Sequence, residues 1–568
     1  MRLPLLRRAL TELPLLAGVA VGLGLYWWLG FAFVLDGTVE GYHWADYFEN
    51  AWMIVNRVDL GYASFRYPLH AALVGHLGEA LDSYANAAIL VSSVGAFAMV
   101  LGNGLLGRVL AGPWAGGVAA LLVPTAQVAL TAGRWGNLYT ALAGASLLTL
   151  GLAAVVARRP RWGLAALAGL VGGVAWGLDP RGLAMVPAAA ALVLHGASRI
   201  EPGAARRLRQ GGLLAAFLLP LTLGPISREA LWLPTRGKPT LEHQIQTQRA
   251  VFLRWASNGH HDTAMPAACR DEDPTVPLHP GLLWTPCAQE MLKFNLTRAI
   301  PSHTPVPAPL LWVGLPLCLV PRRERVRDDL AQAAAALGLG AAALVGLLLW
   351  MPFPDRYLLQ FAPLFALIPA VGLARATHRL SPKALAPYTV PVVMVGLAAA
   401  AWTLDTTERR KPTTTRASPE VRRNDQVAAA LAARLEPGEA VLDCADLHTP
   451  ARWLPRLTST PPMWRLDDDY CLRWLRDPQG EGRAWVILDR DRTLQASAGG
   501  EIQTAELLEP WELSHTVQDI SLYVRDVTGR PPLGVGPGAG APVDYGRHQR
   551  PSHQPHRPTA SPPPPAEP

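Results

Sequence analysis

Residues 138–157 read LYTALAGASLLTLGLAAVVA, residues 158–161 RRPR, residues 162–178 WGLAALAGLVGGVAWGL and residues 179–182 DPRG. A bilayer crossing needs about 20 mostly apolar residues. The two apolar runs meet that need, and the arginines between them mark a loop on the positively charged side of a membrane. This pattern recurs along the chain. It predicts a mainly α protein, a polytopic transmembrane helical bundle.

Composition agrees. The 568 residues are 50% hydrophobic and 17% charged, with a mean hydropathy of +0.17. Soluble domains carry about 25% charged residues. A chiefly disordered chain and a purely soluble enzyme are both excluded. Lys plus Arg total 51 against 44 acids, a net +7. Lys occurs only at 238, 293, 383 and 411, so nearly all positive charge is arginine. The arginines cluster between apolar runs, which points to a membrane surface and not to nucleic acid.

Working outward, the first run is Leu13–Leu35, preceded by Arg2, Arg7 and Arg8. It is too long for a signal peptide and lacks a small-residue cleavage site, so it reads as a retained anchor. Further runs are Tyr84–Gly107, Pro113–Thr131, Leu138–Ala157, Trp162–Leu178, Leu183–Gly196, Gly211–Ile226, Val306–Val320, Leu330–Trp350, Tyr357–Ala374 and Pro387–Leu404. Together these make about eleven spans. Alternation puts Arg108, Arg158–Arg161, Arg199–Arg209, Arg322–Arg327 and Arg375–Lys383 inside, the richest basic clusters between spans, as the positive-inside rule requires. The expected placement is an integral plasma (inner) membrane protein with its N-terminus cytoplasmic and its C-terminus extracytoplasmic.

The expected organisation is a transmembrane domain over residues 1–405 with outer loops 36–83 and 227–305. A small extracytoplasmic α/β domain follows over 406–529, then a disordered Pro-rich tail over 530–568. In the α/β part, residues 420–435 have a helical apolar face. Residues 440–444 and 484–488 read as buried strands, and 511–524 as one or two more. The five cysteines fit an oxidising outer compartment. Cys318 lies within a span as an inert thiol. Cys269 with Cys287, and Cys444 with Cys471, are disulfide candidates, and four cysteines permit three connectivities. The acidic run Asp467–Asp469 reads as a solvated loop rather than a cation site. No Cys/His spacing fits a zinc site, and no phosphate-cradling glycine loop or nucleophile elbow occurs.

The residues that packing does not explain lie on the outer face. The loop after the first span carries Asp36, Glu40, Asp46 and Glu49. Asp46–Val58 and the stretch from Pro68 to Leu81 read as interfacial helices that press the loop onto the bilayer. A carboxylate beside low-dielectric material becomes more basic and can take a proton from a hydroxyl. Arg134, Arg181 and Arg356 stand at outer span ends, and a guanidinium suits phosphate.

This layout resembles the membrane-embedded GT-C glycosyltransferases, the class that includes protein O-mannosyltransferases and aminoarabinose transferases. The resemblance covers about residues 10–405 and lies in layout more than in strict motifs. It is carried by Tyr47-Phe-Glu-Asn-Ala51 leading to Asp59 and Tyr67-Pro68-Leu69, by Gly177-Leu-Asp-Pro-Arg181 running to Pro187, and by Asp355-Arg-Tyr-Leu-Leu359 with Pro363. It implies a polyprenyl-phosphate-linked sugar as donor, drawn from the membrane lipid, and an acceptor glycan, lipid or protein. Sugar transfer would invert the anomeric centre. It implies a loop carboxylate as base, with Asp46 first and Glu40 and Asp36 as the other candidates. Arg181, Arg356 and Arg134 would bind the donor phosphate. It implies no particular cofactor, and a divalent metal is compatible with it. The paired acids usual in that class's first loop are absent here. Two other readings stand beside this one: a non-catalytic scaffold with the same fold, and a lipid or solute transporter. The scarcity of mid-span charges and of repeated halves weighs against transport.

Overall fold

The computed structural model describes residues 2–28, 51, 54–55, 68–81, 84–125, 138–198, 204–236, 285–294, 314, 316–318, 362–382, 384–404, 419–436, 439–445, 463–464, 468–478, 482–489, 494–495, 501–502 and 504–528. Its N-terminal part is a bundle of apolar helices: α1 (Arg2–Tyr26), α2 (Pro68–Leu81), α3 (Tyr84–Ala111), α4 (Pro113–Leu122), α5 (Leu138–Arg158), α6 (Trp162–Leu178), α7 (Val186–Ser198), α8 (Ala204–Leu221) and α9 (Leu223–Arg236). A short helix, α10 (Pro286–Phe294), follows, then α11 (Ala362–Leu380) and α12 (Ala386–Leu404). Among the described residues, three segments are long and apolar enough to cross a membrane: Asn86–Ala111, Leu138–Arg158 and Arg207–Leu231. Shorter apolar helices accompany them. The expected run Leu330–Trp350 and most of Val306–Val320 lie outside the described residues. The outward surface is apolar, with Val94, Val392 and Leu16 at 60%, 71% and 59% exposure. A surface of that kind is stable against lipid and not against water.

Several boundaries differ from expectation, each for a local reason. Helix α1 begins at Arg2 and not at Leu13, because the intervening leucines and alanine favour helix and Pro4 falls in the tolerant first turn. Helix α4 stops at Leu122 and tightens into a 3₁₀ turn over Val123–Thr125, since Pro124 has no N–H to continue it. The run expected as Leu183–Gly196 opens instead as a 3₁₀ turn, Pro180–Met185, before α7. The run expected as Gly211–Ile226 is broken at Thr222, where prolines 220 and 225 interrupt the ladder. The Thr222 hydroxyl donates to the Leu219 carbonyl at 2.7 Å across that break.

Glycine contacts give the helix directions. A side chain on Gly95 would strike Ala141, and one on Gly102 would strike Leu147; contacts advance together, so α3 and α5 run parallel. Gly169 meets Phe217, Gly173 meets Leu221 and Gly177 meets Gly224, so α6 runs parallel to α8 and α9. Each parallel pair is separated in the chain by one returning helix, as an up-and-down bundle requires. At Gly144 a Cβ would run into the Gly95 carbonyl oxygen, so the two backbones touch only because both residues are glycine.

The ends of these helices are satisfied from within. At the end of α3, the Arg108 carbonyl accepts from Gly112 N at 2.9 Å. The Val109 carbonyl accepts from Arg158, and the Leu110 carbonyl from Arg375 Nη2 at 3.0 Å. Arg375 is buried and also donates from Nη1 to the Cys318 carbonyl at 3.0 Å. Arg108 Nε donates to Glu12 Oε2 at 2.6 Å. Val123 turns its N–H to the Ala120 carbonyl, which takes the usual donor from Ala119; Asn103 Nδ2 donates to Ala119 at 2.9 Å in its place.

The C-terminal part forms a five-stranded sheet. Its strands are β1 (Ala440–Asp443), β2 (Met463–Trp464), β3 (Arg483–Asp489), β6 (Glu512–Val517) and β7 (Ile520–Asp526), in the order β2-β1-β3-β7-β6. Short β4 (Leu494–Gln495) and β5 (Glu501–Ile502) pair separately. β1 is parallel to β2 and β3, and β7 is antiparallel to both its neighbours. Helix α13 (Pro419–Ala432) supplies Val427 and Leu431 to one face, against Trp485 and Ile487. Helix α14 (Asp468–Arg476) supplies Leu472 and Leu475 to the other, against Leu442 and Val486. A Cys444–Cys471 disulfide, Cα–Cα 5.9 Å, ties α14 to the end of β1. Asp468 and Asp469 open helix α14 rather than lie in a loop, at its positive end, where acids are favoured, and Asp467 lies outside the described residues. Cys287 is disulfide-bonded and buried, and Cys269 lies outside the described residues.

Replacing Gly144 by Leu is expected to cost about 1–3 kcal/mol or more by overpacking. Gly396→Leu, at a position where an added Cβ meets nothing within 4 Å among the described residues, should be nearly neutral. Thermal unfolding of the detergent-solubilised chain reads both; equal midpoints would contradict the parallel α3–α5 contact.

Candidate functional site

The carbon-level frame of the site is the last turn of α6. A Cβ on Gly177 would lie 2.6 Å from Leu69 Cδ2 and 3.0 Å from the Gly224 carbonyl oxygen. The start of α2 and the start of α9 therefore rest directly on the end of α6. Farther along α2, a Cβ on Gly75 would lie 2.6 Å from Val55 Cγ2 and 2.7 Å from the Ala51 carbonyl oxygen. Leu69 and Gly75 are six residues apart, about 9 Å along a helix. Helix α2 thus packs on the α6 terminus at Leu69 and on Ala51 and Val55 less than two turns farther along.

That terminus carries Asp179-Pro180-Arg181. Asp before Pro cannot continue a helix, and a short polar side chain there caps the next one. Asp179 is fully buried. Its Oδ1 accepts from Arg181 N at 2.8 Å and from Arg181 Nε at 2.7 Å; its Oδ2 accepts from Arg181 Nη2 at 2.7 Å. This is a bidentate guanidinium–carboxylate fork with a capping bond added. The Arg181 guanidinium also lies over the Tyr139 ring, 5.0 Å from its centroid, at the start of α5. Arg181 is 12% exposed, enough to meet a ligand from the surface.

Arg228 joins them from α9. It is 1% exposed, and its Nη2 lies 3.7 Å from Glu229 Oε1. The sequence selected arginines at span ends, and Arg228 follows the run Gly211–Ile226 directly, so the same criterion reaches it. Asp179 is readable too, as an acid before proline at a span end.

Of the residues expected from sequence, Arg181 stands in this corner. Asp36, Glu40, Asp46, Glu49, Arg134 and Arg356 lie outside the described residues. Among the described residues no group of three or more His, Cys, Asp or Glu is placed to hold a metal ion. What the end of α6 can do is present a cation to an anion: Arg181 is locked in orientation by Asp179 and still partly exposed.

No protein-family model matches the chain, and no curated protein matches it. Its backbone is similar to solved structures of two membrane proteins. ArnT from Cupriavidus metallidurans bound to undecaprenyl phosphate is 15% identical, with 89% of this chain and 97% of that one covered and a TM-score of 0.48. The Archaeoglobus fulgidus oligosaccharyltransferase in its apo form is 13% identical, with 84% and 69% covered and a TM-score of 0.47. The same enzyme, AglB, in complex with an inhibitory peptide and a dolichol-phosphate gives 12%, 84%, 69% and 0.43. The likeness is one of helical layout and assigns no residue a role.

His70, next to Leu69 on α2, is fully buried, and burial pushes its imidazole down to about 4. The unfolded chain takes this proton near pH 6.5 and the folded chain only near 4. Stability present above pH 6.5 is therefore lost as pH falls toward 4, by up to roughly 3 kcal/mol. In His70→Gln that part of the acid sensitivity should vanish. Unfolding midpoints at pH 7 and pH 4.5 test it; an equal drop in both proteins would contradict it.

Proposed function

We propose that the chain is a membrane glycosyltransferase that moves a sugar from a polyprenyl-phosphate donor to an acceptor hydroxyl on the extracytoplasmic side. The observation that supports this most is the turn after α6, where Asp179 holds Arg181 in a fork while α2 and α9 pack on the end of α6 and Ala51 and Val55 pack on α2. The sequence resemblance to GT-C enzymes supplies the reaction class.

In this reading the phosphate of the donor lies against Arg181 and Arg228, and Arg356 and Arg134 add to the same end. The lipid chain runs along the apolar outer surface. A loop carboxylate, Asp46 with Glu40 and Asp36 as the other candidates, accepts the acceptor's hydroxyl proton. The hydroxyl oxygen bonds to the anomeric carbon from the face opposite the phosphate. The anomeric C–O bond breaks and its electron pair stays on the phosphate oxygen. The anomeric centre inverts. The arginines stabilise the charge that grows on the leaving phosphate, a contribution that is larger in a water-poor site.

Separate Asp46→Asn, Glu40→Gln and Asp36→Asn variants should divide the roles. Loss of the base is expected to lower kcat by about 10²–10⁴, with Asp46→Asn showing it. Transfer of labelled sugar from a polyprenyl-phosphate donor in proteoliposomes measures this. Wild-type rates in all three variants would remove the loop carboxylate from the mechanism.

A further inference from the structure

Helices α6 and α8 run parallel, but they do not start level. Trp162 opens α6, whereas residues 204–211 of α8 precede Gly212. A Cβ on Gly212 would lie 2.3 Å from Trp162 Cη2 and 2.8 Å from its Cζ2, so the start of α6 meets α8 at Gly212. Residues 204–211 therefore reach about 12 Å past the start of α6, beside residues 159–161 that lead into it. This overhang carries Arg207 and Arg209, and the leading segment carries Arg159 and Arg161; all four are exposed. Between them stand two exposed apolar side chains, Leu208 at 79% and Trp162 at 58%. The sequence holds no acid between Ser83 and Leu178, and only Glu201 between Pro180 and Arg228. The acid that α1 brings to this end, Glu12, is held by Arg108.

We propose that this overhang is a seat for an anionic glycerophospholipid of the surrounding bilayer, its phosphate against Arg159, Arg161, Arg207 and Arg209 and its acyl chains against Trp162 and Leu208. The seat lies at the opposite end of α6 from Asp179, about 25 Å away along the helix. It is a second lipid site, independent of the sugar-transfer reading.

Charge and shape both argue for a lipid. A guanidinium donates two parallel hydrogen bonds to phosphate oxygens, which a choline headgroup's cation opposes and an anionic headgroup does not. Each basic residue near a negatively charged leaflet strengthens attraction about fivefold. Charge alone would give a diffuse attraction; the stagger of the two helices gives it a place. Gly212 has no side chain, so the indole of Trp162 lies against α8 and holds the two helix starts together. Indole rings favour the level of the bilayer where headgroups meet acyl chains. Basic and apolar groups alternate here within single residues: Trp162 follows Arg161, and Leu208 sits between Arg207 and Arg209. One phospholipid satisfies both kinds, whereas an acidic soluble partner would use the arginines alone.

The test titrates the full detergent-solubilised chain with dioleoyl phosphatidylglycerol or dioleoyl phosphatidylcholine and reads the first bound lipid by native mass spectrometry. The wild-type chain should bind phosphatidylglycerol at least about fivefold more tightly than phosphatidylcholine. Arg161→Gln and Arg209→Gln should each lower the phosphatidylglycerol affinity about fivefold and leave phosphatidylcholine unchanged. Arg476→Gln removes the same charge from exposed α14 and should change neither. Gly212→Leu displaces the indole without touching a charge, and Trp162→Ala removes it; each should weaken both lipids by at least about threefold. A wild-type chain indifferent to the headgroup overturns the proposal. Arg476→Gln acting as strongly as Arg161→Gln also overturns it, since net charge alone would then suffice. So does wild-type binding of phosphatidylglycerol in Trp162→Ala, the variant that decides if Gly212→Leu does not fold. Tighter binding of a polyglutamate peptide than of phosphatidylglycerol would assign the surface to an acidic soluble partner and overturn it too. All these outcomes read binding and not transfer, so loss of the transferase reading leaves them unchanged.

Discussion

A helix in lipid has no water to satisfy the backbone groups at its ends, and this constraint accounts for the placement of Arg158, Arg375, Asn103 and Asp179 in the bundle. The end of α3 is the clearest case. Its terminal carbonyls accept from Gly112, which follows the helix directly, and from Arg158 and Arg375, two side-chain donors distant in sequence. The arginines that mark topology in the sequence are thus also helix caps. They favour the negative end of the α3 dipole and hold α5 and α11 against it. Asn103 performs the same service for Ala119 where α4 gives way to a 3₁₀ turn.

The opposite end obeys the same rule with a different outcome. Asp179 caps the 3₁₀ turn after α6, and in capping it captures Arg181 through the fork. A structural requirement of the backbone thereby orients a cation at the surface of the bundle. The close glycine contacts between α6 and α9 bring Arg228 to the same place. Small residues at these crossings therefore link packing to chemistry: a larger residue at Gly177 would push away both α2 and α9.

Much of this was legible in the sequence. The apolar runs Tyr84–Gly107, Leu138–Ala157, Trp162–Leu178 and Pro387–Leu404 lie within a few residues of α3, α5, α6 and α12, because run length and flanking arginine, proline or aspartate fix such helices. The second interfacial stretch coincides with α2, and the buried strands at 440–444 and 484–488 coincide with β1 and β3. Less legible were the places where proline acts through hydrogen bonds and not through hydropathy: Val123–Thr125, Pro180–Met185 and the break at Thr222. Hydropathy averages over these turns. The acidic run at Asp468–Asp469 misled for a related reason, since charge alone does not distinguish a loop from a helix start. In the site, Arg181 was read from its place at a span end. Arg228 shares that place, but its burial depends on the α6–α9 contact, which no local pattern announces. The partnership of Asp179 with Arg181 needs the side-chain conformation that the Tyr139 ring and the capping bond impose.

The proposed transfer requires that the Asp179 end of the bundle receive a lipid phosphate and that a carboxylate of residues 36–49 reach it. An electron cryo-microscopy map of the full chain in nanodiscs with a polyprenyl phosphate addresses it most directly. The account predicts phosphate density within hydrogen-bonding distance of Arg181 or Arg228, with a carboxylate of residues 36–49 facing the same hollow. Density at the Arg108–Arg375 end, or a first loop turned away from Arg181, would contradict it.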